Sequence, residues 1–540
     1  MHRREFLTKV GLLAATTPGL RSRFALVSQH GASSKGRASV PEPRILFKTS
    51  DAKYQQTYSN AVSTLSGNVK ELPQYPDPVL IEGSVYGGIW LEGAPHEGLV
   101  YSLIRPHVAR ANHMAFFVRQ REDGQIPCWI RPDATGFGQI QMVVPIATTA
   151  WALAQQTGDD ELLDKAYASC VRWDAWLRRY RDTRGTGLCE GFCTWDTGHD
   201  NSPRWSGIPN RCPNGDARRC PPVAGLPRLC PDLSATVYGG RVALAEMARA
   251  LGKKAEADRW RADAEQIRSA IVQRLYAPED AAFYDVDAQN RFVGIRSDVI
   301  SRVLGEHVVD QKLFETIYAR QIHNRDAFWA PYPLPSIALN DPAFVRPIPR
   351  NSWGGASQAL TALRAPRWME HYGKPADLAH LMQQWVEAMV REGKFLQQMD
   401  PFAGTFTPDA EGYSPAALAF VDFTWRLSGI RQTGDCLEWN IRPLNSDARA
   451  SFGLRLQNGT TAEIRYAAAE AEALLNGKRV IKTGATVRLV SNFQGRLLRA
   501  VGIASQSSAV AWRDNTGHEG RFSIPPNETQ ILAPSIRRTE

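Results

Sequence analysis

The sequence predicts a mainly α fold: an (α/α)6 toroid, in which six helix pairs close into a ring, followed by a C-terminal β-sandwich. Two observations predict it. Between about residues 97 and 430, apolar residues recur at spacings of three and four, in paired segments joined by short turns. After Gly434 the pattern changes to short alternating segments, as half-buried strands require. The loops between pairs differ greatly in length. That argues against a solenoid of identical units and leaves long loops free at one end of a ring.

Each element follows from local pattern. A first helix is expected over 96–120. Helices over 146–155 and 161–179 flank the turn Thr157-Gly158-Asp159; Leu162, Leu163, Ala166, Cys170, Trp173, Trp176 and Leu177 make one buried face of the second. The pairing repeats at 234–251 and 255–275 around Gly252, and at 355–372 and 375–391 around Gly373. Single helices fit 297–304, 310–320 and 415–427. A small hairpin sets Ala282-Phe283-Tyr284-Asp285-Val286 against Arg291-Phe292-Val293. Strands are expected over 436–441, 451–456, 461–466 and 486–490, with an Asn476-Gly477 turn. The organisation is therefore a leader over 1–31, a lead-in over 32–78, a helical domain over 79–432 with a Cys/Pro-rich insertion at about 206–231, and a β-domain over 433–540.

The formal charge is +9, but no Lys/Arg block is interleaved with aromatics, so no nucleic-acid partner is expected. Arg3-Arg4-Glu5-Phe6-Leu7, followed by a short apolar run, has the twin-arginine arrangement. Folded export to the periplasm or beyond is expected, and the run is too short for membrane insertion of the mature form. Eight cysteines fit an oxidising compartment, and disulfides among Cys189, Cys193, Cys212, Cys220 and Cys230 are expected to staple the insertion, with the fifth cysteine free or paired elsewhere. Their spacings contain no Cys-x-x-Cys pair, so no metal is expected, and no cofactor.

Four loop clusters could carry chemistry. The densest is Trp195-Asp196-Thr197-Gly198-His199-Asp200-Asn201-Ser202-Pro203-Arg204-Trp205. Gly198 and Pro203 disfavour a regular element through it. Its aromatic faces, acids and amide suit a sugar, whose apolar faces stack on rings and whose hydroxyls take hydrogen bonds. The second cluster runs from Tyr86 through Trp90 and Glu92 to Glu97. The third holds Trp329, Asn351, Trp353 and Gln358. The fourth runs from Gln397 and Asp400 to Glu411 and Tyr413. All four lie between helices, where a toroid places its pocket loops.

The first cluster resembles the acid loop of the α/α-toroid glycosidases, a group that includes mannosyl-oligosaccharide glucosidases, mannosylglycerate and glucosylglycerate hydrolases and, more distantly, trehalases. The resemblance covers roughly residues 79–430. It implies exo-acting, inverting hydrolysis of an α-glucoside or α-mannoside, with the Asp of Asp200-Asn201-Ser202-Pro203 as general acid. Inversion needs a second carboxyl roughly 6.5–9.5 Å away to activate a water. The family carries that base as a Glu in a Glu-x-Tyr-x-Pro-x-Thr-Gly stretch, and the position falls here on Gln397. Either the register differs, or Glu411 or Asp400 supplies the base, with Glu92 and Glu97 as further possibilities, or hydrolysis is lost. Stacking and polar contacts to a carbohydrate substrate are expected from Trp90, Trp195, Trp205, Trp329, Trp353, Glu92, Glu97, Asn201, Arg204, Gln358 and Gln397. The runner-up is a carbohydrate-binding protein on a degenerate scaffold; a sugar epimerase or polysaccharide lyase comes behind it.

Overall fold

The computed structural model describes residues 44–442, 448–456, 458–513 and 519–532. The expected leader and the first part of the lead-in lie outside them. Among the described residues are twelve α-helices: α1 (Ala52–Gly67), α2 (Ala94–Tyr101), α3 (Pro106–Val118), α4 (Ile146–Thr157), α5 (Asp160–Tyr180), α6 (Pro231–Ala250), α7 (Lys254–Leu275), α8 (Val299–Gly305), α9 (Gln311–Ile317), α10 (Ala359–Met369), α11 (Pro375–Glu392) and α12 (Ser414–Ser428).

Local chemistry sets their ends. Gly158 takes a left-handed φ of 68° to close α4, and the Asp159 carboxylate accepts the backbone N–H of Leu162, 2.9 Å away, to open α5. The expected helix over 96–120 is instead two, α2 and α3. Pro106 has no N–H to continue the ladder and occupies the first turn of α3, where none is needed. The expected helix start at 355 moves to 359, because Ser357 and Gln358 pair as a strand with Gln398 and Met399. The segment after α9 widens into a π turn over Tyr318–Ile322.

The even-numbered helices pack in succession. α2 touches α4, α4 touches α6, α6 touches α8, α8 touches α10, α10 touches α12, and α12 returns to α2. Burial is nearly complete in α12, which buries fourteen residues, from Ser414 to Ser428, excepting Arg426. The odd-numbered helices lie outside; α5 and α11 each carry one apolar stripe.

The stretch expected as lead-in is built into this body. α1 packs on α12, where Tyr54 bonds Thr424 and Trp425 bonds Tyr58, both at 2.9 Å. The preceding strand Ile45–Thr49 pairs antiparallel with Ala450–Arg455. It forms one edge of a five-stranded sheet that continues through Thr461–Ala467, Glu470–Leu475 and Lys478–Thr483. A second five-stranded sheet orders Ile430–Thr433, Cys436–Ile441, Val487–Asn492, Leu497–Val501 and Thr529–Ile531. The strand-rich region joins the helices through polar anchors. Tyr466 donates to the Ser428 and Asn440 carbonyls, and Arg488 forms a two-pronged pair with Glu370 at 2.7 and 2.8 Å.

The disulfide staple is a correction. All eight cysteines are free, and the closest approach in the insertion is 3.7 Å between the Cys193 and Cys212 sulfurs. Backbone bonds tie the insertion down instead, from Cys212 to the Gly138 carbonyl and from Ala217 to the Phe137 carbonyl. The cysteines are mostly buried and pack as small apolar side chains. Among the described residues no helix is long and apolar enough to cross a membrane.

Candidate active site

The loops preceding α2, α4, α6, α10 and α12 enclose a cavity of about 590 Å³, within the size range of small-molecule sites. Its walls include Trp90, Glu92, Trp195, Asp200, Trp353 and Gln397.

The acid loop is fixed by buried polar anchors at Asp196, Arg204 and His199. Asp196 is fully buried against Arg181, 2.5 Å away, and accepts the backbone N–H groups of Ile140, Phe192 and Cys193. Every oxygen is occupied by a structural partner, so Asp196 is a latch. Arg204 forks onto two acids, reaching Asp232 at 2.7 Å through two bonds and Asp285 at 2.8 and 2.6 Å. Burial alone would raise Asp232, but Arg204, followed by Arg302, outweighs it and holds the carboxyl at about 2. His199 lies 3.0 Å from Arg204 and 2.9 Å from Asp298. Burial, followed by the Arg302 charge, lowers it to about 4, so it is neutral at neutral pH.

Asp200 is the loop carboxyl that reaches the cavity. Its backbone carbonyl accepts the Trp353 N–H at 2.9 Å, and Asn351 donates to its Oδ2 at 3.1 Å. Asn201, at φ 53°, turns the chain behind it and donates to the Asn351 carbonyl. Burial raises the Asp200 carboxyl, and the bond from Asn351 offsets part of that rise. A raised carboxyl is what a proton donor near neutral pH needs.

Across the cavity, Tyr86 donates to Gln397 Oε1 at 3.1 Å, and Gln397 donates to Asn351 Oδ1 at 2.9 Å. A polar chain thus runs from Tyr86 through Gln397 and Asn351 to Asp200. Beside it, Tyr413 donates to Glu82 Oε1 at 2.8 Å. Glu92 sits against the acid loop, where Gly198 leaves room for it: a Cβ at that position would collide with Glu92 Oε2.

Three carboxyls, Glu82, Glu92 and Glu97, lie near enough to act on one another's charge. Burial raises Glu92 to about 7, with Arg364 opposing and Asp200 adding. Burial raises Glu97 to about 8, with Arg364 opposing and Glu92 adding. Both are ordinary carboxyls near 4.5 when unfolded, so their contribution to stability is full below pH 4.5 and is lost as pH rises towards 8. Glu97→Gln therefore gains stability at pH 9, on the order of 4 kcal/mol, and little at pH 4. Urea unfolding at the two pH values reads this directly; an unchanged difference between them would remove Glu97 as the source.

The expected site residues divide accordingly. Trp90, Glu92, Trp195, Asp200, Trp353 and Gln397 meet at the cavity. Glu97 lies buried behind Glu92, and Asn201, Arg204 and Gln358 shape the loops: Gln358 donates to the Ser352 carbonyl and to Gln398. Trp205 is a correction. It is buried, its indole donates to Thr197 at 2.9 Å, and Arg204 and Arg228 cover its ring. Trp329 is another, packed between His323 and His380 away from the cavity. The expected base substitutes lie elsewhere too. Glu411 is 61% exposed and paired with Lys394. Asp400 caps its own turn by accepting the N–H groups of Phe402 and Ala403.

Sequence reasoning missed Glu82, the glutamines Gln139 and Gln141, and the rim made by Trp129, Arg131 and Arg211. Glu82 stands just ahead of the Tyr86-Gly87-Gly88 cluster, a nearness that could have drawn it in. The glutamines and the rim carry no local signal.

Residues 88–425 match the family model described as the mannosylglycerate hydrolase MGH1-like glycoside hydrolase domain. Mannosylglycerate hydrolase MGH1 of Selaginella moellendorffii is 40% identical over 52 residues, which is 10% of this chain and 11% of that relative. The chain thus aligns with about a tenth of the length of the curated relatives it matches. Among solved structures, the GH63 mannosylglycerate hydrolase of Thermus thermophilus, crystallised with Tris, superposes with a TM-score of 0.56 at 19% identity. That match covers 68% of this chain and 100% of that one. Neutral trehalase Nth1 of Saccharomyces cerevisiae superposes at 0.53 and 13% identity, covering 65% of this chain and 74% of its own. These two likenesses speak to the fold.

Proposed function

Because the chain belongs to the mannosylglycerate hydrolase MGH1-like glycoside hydrolase domain family, we propose that it is an exo-acting, inverting glycosidase. Its substrate is an α-mannoside or α-glucoside at the end of a short saccharide, and Asp200 is its general acid. The observation that carries this reading is the position of Asp200. It is the acid-loop carboxyl that lines the cavity, raised by burial, while Asp196 is consumed by Arg181. The family's name supports a mannoside; the cavity's Trp90, Trp195 and Trp353 support stacking of a sugar ring.

The closed succession of α2, α4, α6, α8, α10 and α12 supports the (α/α)6 toroid, and the two five-stranded sheets support the β-sandwich. Export by a twin-arginine leader is part of the same proposal, supported by Arg3-Arg4-Glu5-Phe6-Leu7.

The test is a panel of α-mannosides and α-glucosides, aryl and short-saccharide, followed by proton NMR of the released sugar. Hydrolysis with the β-anomer appearing first is expected. Gln397, where the family's Glu would stand, favours the second reading, a sugar-binding protein. Sugar binding in calorimetry with no turnover of any panel member would establish that reading instead.

A further inference from the structure

We propose that Glu82 is the general base, taking over the task that the amide of Gln397 cannot perform. This rests on the hydrolase reading above and adds the missing half of its mechanism. Four carboxyls line the cavity: Glu82, Glu92, Asp133 and Asp200. Asp133 stands 69% exposed at the rim beside Arg131. A group there faces bulk water and cannot hold one molecule against a sugar carbon. Glu92 abuts Gly198 of the acid's own loop and faces the Arg364 side, which places it beside the donor. Glu82 belongs to the other wall, with Tyr413, Tyr86 and Gln397.

The backbone delivers Glu82 to that wall. The Glu82 carbonyl accepts the Ser414 N–H at 2.8 Å, and Ser414 Oγ bonds the Ile81 carbonyl at 2.8 Å. Gly83 bridges to Tyr413, and Ser84 N–H reaches the Gly412 carbonyl. Residues 81–84 are therefore laced along 412–414, the end of the loop that begins at Gln397. A carboxyl two residues beyond the strand Tyr75–Leu80 is thus linked to Gln397 through Tyr413 and Tyr86, whose rings lie 6.1 Å apart. Tyr413 holds one of its oxygens, as a base must be held in place.

The step balances as follows. A water between Glu82 and the sugar attacks the anomeric carbon and gives one proton to the Glu82 carboxylate. The carbon's bond to the leaving oxygen breaks, and that oxygen takes the proton of Asp200. Both groups then reset through solvent. Burial raises Glu82, and Glu97 and Glu92 raise it further, while the bond from Tyr413 opposes the rise. The step needs Glu82 ionised, and the Tyr413 hydroxyl that donates to its Oε1 favours that form against the burial.

Glycosyl fluorides separate the two roles, because fluoride leaves without a proton. With α-mannosyl and α-glucosyl fluoride, Glu82→Gln is expected to lose about 10³-fold in kcat, with azide restoring turnover and giving the β-glycosyl azide. Asp200→Asn is expected to keep turning over the same fluoride. Glu82→Asp, which retracts the carboxylate by one methylene, guards against a misfolded amide variant; a loss of about 10-fold or more in kcat at unchanged KM is expected. The assignment is overturned if Glu82→Gln, folded by its thermal midpoint, stays within tenfold of wild type, if Glu82→Asp leaves kcat unchanged, or if azide rescue belongs to Glu92→Gln. A wild-type protein inert on both fluorides overturns the hydrolase reading itself, and the base with it.

Discussion

Asp200→Asn is expected to lower kcat/KM on an unactivated α-mannoside or α-glucoside by about 10³-fold, within the usual range for removing a general acid. An aryl glycoside with a strongly acidic phenol loses far less, because its leaving oxygen needs little protonation. The variant keeps its hydrogen-bonding shape, since the Asn351 donor and the Trp353 N–H reach an amide oxygen or the backbone. KM therefore changes little. The measurement is a plot of log kcat/KM against phenol pKa for both proteins. A steeper dependence in the variant is the expected sign of a lost acid, and parallel lines would dismiss Asp200 from that role.

Arg204→Ala is expected to cost about 3–5 kcal/mol, the usual penalty for stripping one partner from a buried ion pair. The reason is the fork onto Asp232 and Asp285, both nearly inaccessible, with His199 against the same guanidinium. Two carboxylates would be left buried and uncompensated. Arg204→Lys rescues little, because a point charge cannot satisfy two acids at once. Urea unfolding reads the loss. A change below about 1 kcal/mol would mean that Arg302, 3.5 Å from Asp232, carries the load alone.

What was legible follows a physical divide. Helix pairs announced themselves through their own spacing, and the acid loop through its density of rings and acids. The place of Asp200 at the cavity was legible because the cluster that carries it is contiguous. Glu82 was not, because its place depends on Tyr413, 331 residues later, and nothing in Glu82-Gly83-Ser84 tells of that partner. Arg204 shows the same divide. An arginine in a sugar-site loop reads as a ligand to hydroxyls, and only Asp232 and Asp285, 28 and 81 residues away, reveal a structural anchor. Trp205 and Trp329 look the same as Trp90 and Trp353 on paper. Packing alone decides which indole faces the cavity.

The strand Ile45–Thr49 has a consequence for how the chain comes to be folded. Its partner is Ala450–Arg455, and the contact at their end, Ser50 with Arg449, spans 399 residues. At the usual 5–20 residues per second, a ribosome needs roughly 20–80 s to make that span. Throughout synthesis the early strand has an unmet edge, and α1 waits for α12. The early strand and α1 therefore stay without their partners until residues 414–455 have emerged, and a chaperone has that interval in which to find the waiting strand.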